Sequence, residues 1–363
     1  MCKIKIKNTV HPFYIQGETV LTTSGNMFRI EDPHKVVFNM INQMVGKDAK
    51  EIYKEISDSS KEITLDAIND VISQLDELKL LEDSSFNETI QIDGYNTQRW
   101  SRNIDFFGAF CKLKDNKYDI QNKIKNFKIT LLGLGGVGSH MLLDLVSMGF
   151  INITAVDFDT VDLSNLNRQI IYNEDDIGSK KIDSAKKRLD VYLPNNKINY
   201  IDKYIDSTHT VKEVIQGSDM VVCCIDRPPE ALYWVNEACV KEGIPFISGG
   251  VDTAISIIYS VIPRKTGCFQ CWKDSVEQNS SLMKEVNKKE IELMNSGTVP
   301  WRPAVVNLVA VHSGMILSEI VKYVMNLPLS TTNKATHFYF ETLQTKVVAE
   351  WKHNKNCPVC GIS

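Results

Sequence analysis

The sequence predicts an α/β protein: a mostly parallel sheet with helices on its faces, preceded by a small separate domain. Three observations predict it. From residue 127 onward, apolar strand-length segments alternate with amphipathic ones, the pattern of a parallel sheet with crossover helices. The first of these segments runs straight into a glycine turn, "LLGLGGVGSH" at 131–140. Residues 1–90 are organised differently, with short alternating strands and then helical periodicity.

Taken in order, "FYIQGETVLTTSGNMFRI" alternates like short strands around Gly17 and a turn at Ser24–Gly25. "DPHKVVFNMINQMVG" reads as a helix, with Asp32 capping it, Pro33 in its first turn and Gly46 ending it. "DAKEIYKEI" comes next. In "TLDAINDVISQLDELKLL", Ile68, Val71, Ile72, Leu75 and Leu78 recur at helical spacing. A β-ribbon with three helices describes a winged-helix-like module, and its acidic third helix gives no support to DNA binding. The plainer alternative is a packing or dimerisation appendage. Residues 84–98 are polar and aperiodic and read as linker. The strands expected next are "KITLLG", "NITAVD", "KINYID", "MVVCCID" and "PFISGG", then "AISIIYSVI" and "ATHFYFET", the last two in antiparallel sense. "RPAVVNLVAVHSGMILSEIVKYVM" reads as a long apolar helix, suited to the core or to dimer packing. The domain plan is thus 1–90, a linking segment 91–126, and 127–363.

Bulk composition excludes several function classes. The chain of 363 residues is 43% hydrophobic and 24% charged, with a net charge of −4. It has no excess of positive charge with which to grip nucleic acid. No apolar run approaches the ~20 residues of a membrane span, and "MCKIKIKNTV" lacks a signal-peptide apolar region. The expectation is a cytoplasmic protein.

The glycine turn is the first functional clue. Gly133, Gly135 and Gly138 fit G-x-G-x-x-G, with Gly136 inside the run, and an acidic residue, Asp157, lies where a ribose partner belongs. Glycines let the backbone approach phosphate, and the helix N-terminus after them supplies N–H donors. This much is Rossmann-like and would suit a nicotinamide-dependent dehydrogenase. The next segment changes the reading. "DFDTVDLSNLNRQIIYNEDDIGSKK" brings Asp159, Ser164, Asn165, Arg168, Gln169 and Lys181. Arg168 can fork onto phosphate and Lys181 can add a point charge. Asp226, in "VVCCIDRPPEA", falls at the C-terminal end of an expected strand. A carboxylate beside phosphates suits Mg²⁺. Together these residues describe a nucleoside triphosphate under attack. A dehydrogenase also needs a hydride-handling residue, and the histidines show no such placement: His140 opens a helix, His209 lies in a polar stretch and His312 in an apolar helix.

The cysteines are the second clue. "GCFQC" supplies Cys268 and Cys271, and "NCPVC" supplies Cys357 and Cys360. Two C-x-x-C pairs in a chain without an export signal point to metal, and a closed Cys₄ set is structural zinc. The 85 residues between the pairs exceed the usual zinc-ribbon interval, so a redox pair is the alternative.

With these motifs in hand, "GLGGVG", "DFDTVDLSNLNRQ" and "GSKK" resemble the ThiF/MoeB/ubiquitin-activating superfamily of adenylating enzymes over about residues 100–363. The resemblance implies ATP and Mg²⁺, with Asp157 on the ribose, Arg168 and Lys181 on the triphosphate, Asn165 in the same loop and Asp226 on Mg²⁺. It supports zinc for the four cysteines. "QRWSRNIDFFG" is similar to an element whose arginine, here Arg102, reaches into a partner subunit's site, which implies a homodimer. The segment 272–356 has no cysteine, where ubiquitin-type activators carry a thioester-forming one. Of the rest, Cys2, Cys111, Cys223, Cys224 and Cys239, the last three fall in apolar elements, where thiols are inert.

The N-terminal module, "RWSRN" and "KTGCFQC" are similar to the branch that builds microcin C-type peptide–nucleotide antibiotics. That layout implies a peptide-clamp domain, a short precursor peptide as partner, adenylation of its C-terminal carboxylate or amide, and in that branch a P–N bond. The clamp groove is expected around "TVLTTSG" and the third helix, with the peptide added as a strand or in a groove. Two other readings stay open: an activator of a Gly-Gly-tailed sulfur-carrier protein, and a binding module with a damaged adenylation site.

Overall fold

The computed structural model describes residues 2–57, 63–89, 94–194, 196–296 and 303–361. It divides into two compact units, Met1–Lys123 and Ile124–Ser363.

The first unit begins with β1 (Ile4–Ile6), then β2 (His11–Ile15), β3 (Glu18–Thr22) and β4 (Met27–Glu31). Three helices come next, α1 (Val36–Gln43), α2 (Ala49–Ser57) and α3 (Leu65–Glu77), and then β5 (Leu81–Asp83). β2, β3 and β4 form an antiparallel meander, while β5 returns to pair with β1. Gly17, at φ 83°, makes the first turn. Asp32 does cap α1: its two oxygens accept from Val36 N (2.7 Å) and Phe38 N (3.0 Å). Pro33 lies before the helix rather than in its first turn, because the chain makes a left-handed step at Lys35 first. Thr64 caps α3 through Ala67 N. Ile68, Ile72 and Leu75 bury against Leu21, Met40, Met44, Ile52 and Leu81 to form this unit's own core. Leu78, expected on that stripe, is 45% exposed at the helix end.

One expectation fails here and another narrows. The described parts of 84–98 are not open linker: Ser84–Thr89 is a 3-10 helix and Gly94–Arg99 is α4. Neither carries an apolar stripe, so periodicity could not announce them. The segment Thr19–Thr22 lies on the central strand, paired on both sides. Among the described residues the open edges of the meander are β2 and β4, so a peptide added as a strand would pair there, while the alternative of a groove beside the third helix stays an expectation. Then come α5 (Ser101–Gly108) and α6 (Lys117–Asn126).

The second unit opens with β6 (Lys128–Leu132), α7 (Gly136–Met148), β7 (Asn152–Asp157), α8 (Lys181–Tyr192) and β8 (Asn199–Asp202). It continues with α9 (Thr208–Ile215), β9 (Met220–Cys223), α10 (Ala231–Glu242), β10 (Phe246–Asp252) and β11 (Ile255–Val261). α11 (Phe269–Asn279), α12 (Ser281–Asn295), α13 (Val306–Val324), β12 (Lys334–Tyr339) and β13 (Gln344–Glu350) complete it. The sheet order is β13-β12-β11-β10-β9-β6-β7-β8. The strands from β10 to β8 are parallel and β11 to β13 antiparallel. Continuous burial along β6 and β9 fits strands covered on both faces. The chain winds outward through β6, β7 and β8, then returns to place β9 on the other side of β6. That reversal opens a crevice at the carboxyl ends of β6 and β9, the place where doubly wound sheets bind ligands. β13 has no signature in the sequence; its residues are mostly exposed and show no alternation.

Candidate active site

The glycine turn sits at this crevice. Gly133 has φ 90°, and its N–H donates to the Val156 carbonyl at 2.8 Å. A Cβ there would stand 3.0 Å from the Cys224 carbonyl oxygen, and one on Gly138 only 1.8 Å from the Gly133 carbonyl oxygen. These two glycines are therefore demanded by the turn itself. Gly135 is different: the nearest atom to an added Cβ is Gln169 Nε2 at 4.0 Å. Gly136 would meet only the Arg168 side chain, at 3.5 Å. The space over both is open to a ligand. Gly135 is the N-cap of α7 and offers no side-chain cap, so the first N–H groups of this helix form an anion-favouring end.

Asp157 closes β7 and holds the turn: Leu134 N donates to Oδ2 at 2.5 Å and Asp159 N to Oδ1 at 2.8 Å. Burial raises its pKa, against the pull of Lys181 and these two N–H donors. Lys181, at the start of α8, is buried and pairs with Asp159 Oδ2 at 2.9 Å. Arg168 lies along Gly136, its Nη1 donating to the Asn167 side chain (2.8 Å) and the Ser164 carbonyl (3.1 Å). Ser164 and Asn165 shape the loop: Asp162 and Asn165 cap each other's backbone. Gln169 is buried, and its Oε1 has no partner among the described residues. Asp226 is exposed. It lies beyond the end of β9, three residues after Cys223 and not on the strand as expected, because prolines at 228 and 229 bar a continuing ladder. Cys224 likewise falls just outside β9, with its N–H on Leu132 O at 2.8 Å. Asp226 thus comes directly after the segment that abuts Gly133. Arg102 is exposed on α5, in the first unit.

Sequence reasoning missed three residues. The Tyr172 hydroxyl donates to Leu134 O at 3.0 Å and anchors the turn from below. Asn167 holds the Arg168 guanidinium. His140 is not at the mouth of its helix but buried within α7, its Nε2 without a partner among the described residues. None of the three leaves a spacing signature.

The four cysteines converge as expected. Their Sγ atoms lie within 4.8 Å of one another, all buried. Separations of 3.9, 3.7 and 3.4 Å link Cys268–Cys271, Cys268–Cys357 and Cys271–Cys360. Tetrahedral Zn–S bonds of about 2.3 Å place sulfurs ~3.8 Å apart, so the set fits zinc, and it leaves no fourth position open. Asn236 Nδ2 (3.6 Å to Cys268 Sγ) and Asn354 N (3.4 Å to Cys271 Sγ) supply outer donors. The other cysteines are unlike these: burial raises the thiol pKa of Cys111, Cys223, Cys224 and Cys239, and that of Cys2 is pushed up to about 12 by burial and Asp83. None of them is an activated nucleophile.

The pattern of the ThiF family matches residues 101–359. The chain belongs to that family. It is an adenylating enzyme, and use of ATP comes with the membership. Relatives of the ThiF-family chain include the SAMP-activating enzyme E1 of Haloferax volcanii, 24% identical over 275 residues, 75% of this chain and 92% of that protein. SUMO-activating enzyme subunit 2 of Dictyostelium discoideum is 34% identical over 152 residues, 41% of this chain but 22% of its own length. Escherichia coli MccB with ATP superposes with a TM-score of 0.78 at 21% identity, covering 99% of each chain. The microcin C7 biosynthetic enzyme MccB with N-formylated MccA gives 0.79 at 20% identity, again over 99% of each chain. At such identity the likeness establishes the fold, a Rossmann-like α/β unit behind an N-terminal unit. No described helix is long and apolar enough to cross a membrane.

Proposed function

We propose that the chain is an ATP-dependent nucleotidyltransferase that adenylates the C-terminal carboxylate or amide of a short ribosomal peptide, as in microcin C-type antibiotic biosynthesis. The observation that carries this reading is the N-terminal unit. The family match begins at residue 101, and before it stands a unit with a core of its own. A carrier protein brings a folded surface to its activator; a short peptide brings none and needs a dedicated holder. Phe13 and Ile15, about half exposed on edge strand β2, and Met27 at 66% on edge strand β4, suit that task.

In this reading the peptide carboxylate attacks the α-phosphorus of ATP, the bond to the β-phosphate oxygen breaks, and pyrophosphate leaves. Asp157 accepts from a ribose hydroxyl. The phosphates lie over Gly135 and Gly136 at the α7 N-terminus. Arg168 and Lys181 face the charge that grows on pyrophosphate, Lys181 drawing on its pairing with Asp159. Ser164 and Asn165 hold the loop, and Gln169 Oε1, without a partner among the described residues, offers an acceptor beside Gly135. Arg102 from a partner subunit completes the cations, so the enzyme acts as a homodimer. Asp226 would hold Mg²⁺, which screens phosphate charge when bound. Zn²⁺ would sit in the cysteine knuckle, away from the reaction.

A second reading, activation of a Gly-Gly-tailed sulfur carrier, draws support from the Haloferax relative, nearly all of whose length this chain spans. The test is incubation with ATP and each acceptor, and then mass spectrometry. A nucleotidyl adduct on a short peptide supports the proposal. An adduct on the carrier alone moves the assignment to the second reading.

A further inference from the structure

The Arg168 guanidinium is tied to the approach to α13. Its Nη1 donates to Asn167 Oδ1 at 2.8 Å. Asn167 turns its other end outward, Nδ2 donating to the Ala304 carbonyl at 3.1 Å. Ala304 lies two residues before α13 begins. The chain of contacts therefore runs Ala304, Asn167, Arg168.

We infer that Asn167 is a positioning residue that fixes Arg168 against the glycine turn by tying its guanidinium to the residues that lead into α13. The inference rests on the placement of Arg168 at the nucleotide phosphates. A flexible arginine loses side-chain freedom on meeting a ligand; one already clamped loses less and binds more tightly. An Asp at 167 keeps the acceptor for the guanidinium and loses the donor to Ala304, whereas Leu loses both.

The test is ATP affinity by calorimetry on the full chain, measured for Asn167→Leu and Asn167→Asp, alone and combined with Arg168→Ala. Calorimetry needs no residual turnover. In the presence of Arg168, Asn167→Leu should weaken ATP about tenfold, the loss of one hydrogen bond to a charged group. Asn167→Asp should fall between wild type and Asn167→Leu. In the Arg168→Ala background the same substitutions should change affinity less than about twofold, because residues acting through one group are not additive. Equal losses in both backgrounds would overturn the inference and make Asn167 structural only. If Arg168→Ala itself leaves ATP affinity and adenylation intact, the placement of Arg168 fails instead, a result distinct from the other.

Discussion

The cysteine knuckle and the glycine edge differ in how their polar groups are used. In the knuckle four buried sulfurs face one another and every position around the centre is taken. At the glycine edge the polar groups are paired provisionally: Lys181 with a half-exposed Asp159, Arg168 with a loop amide, Gln169 Oε1 with nothing among the described residues. A closed set suits a permanent occupant. A set of exchangeable pairs around open glycines suits a ligand that comes and goes. On the proposed function, chemistry belongs to the second region and stability to the first.

The sharpest way to break that division is to open the knuckle. Cys357→Ser, or stripping the metal with a chelator, should lower stability by about 4 kcal/mol or more, the range reserved for losses such as a bound metal. That corresponds to a fall in Tm of roughly 10 °C for a domain of this size, read by calorimetry alongside zinc content. An unchanged Tm would return the redox alternative. At the other region Arg168→Ala should cut adenylation by about 10²–10³-fold, with a melting curve close to wild type.

Between these lies His312, fully buried on α13 with neither ring nitrogen partnered among the described residues. Burial lowers its pKa to about 4. The unfolded chain therefore binds a proton that the folded chain refuses. Stability is full above the ordinary histidine value and declines as pH falls from about 6.5 to about 4, by up to ~3 kcal/mol. His312→Leu should flatten that limb in denaturant titrations at several pH values; an equally steep limb would place the acid sensitivity elsewhere. Smallest is the contrast within the turn. Gly138→Ala should cost about 1–3 kcal/mol through overpacking on the Gly133 carbonyl, while Gly135→Ala should leave Tm nearly unchanged and weaken ATP. Equal melting temperatures for the two would mean that the turn is not what demands Gly138.

The sequence exposed those parts of the molecule that repeat or alternate. The parallel strands, the glycine turn and the C-x-x-C pairs are legible because period and spacing encode them. Residues 84–98 are easily mistaken for linker since 3-10 and short polar helices bury no regular stripe. Asp226 reads as part of its strand because the apolar run hides where pairing stops. Tyr172 and Asn167 are invisible for a different reason: Tyr172 acts on Leu134 and Asn167 on Ala304, groups brought near only by the fold. The three glycines look equivalent in the motif, and only the turn geometry separates the two that shape the chain from the one that leaves room.

In the proposed function the glycine edge activates the carboxyl end of a short peptide. Peptide-dependent exchange of labelled pyrophosphate into ATP, run with wild type and Arg168→Ala, tests it most directly. The expected result is exchange that requires the peptide and collapses in the variant while the zinc content stays the same. Exchange that ignores the peptide, or that survives unchanged without Arg168, would contradict it.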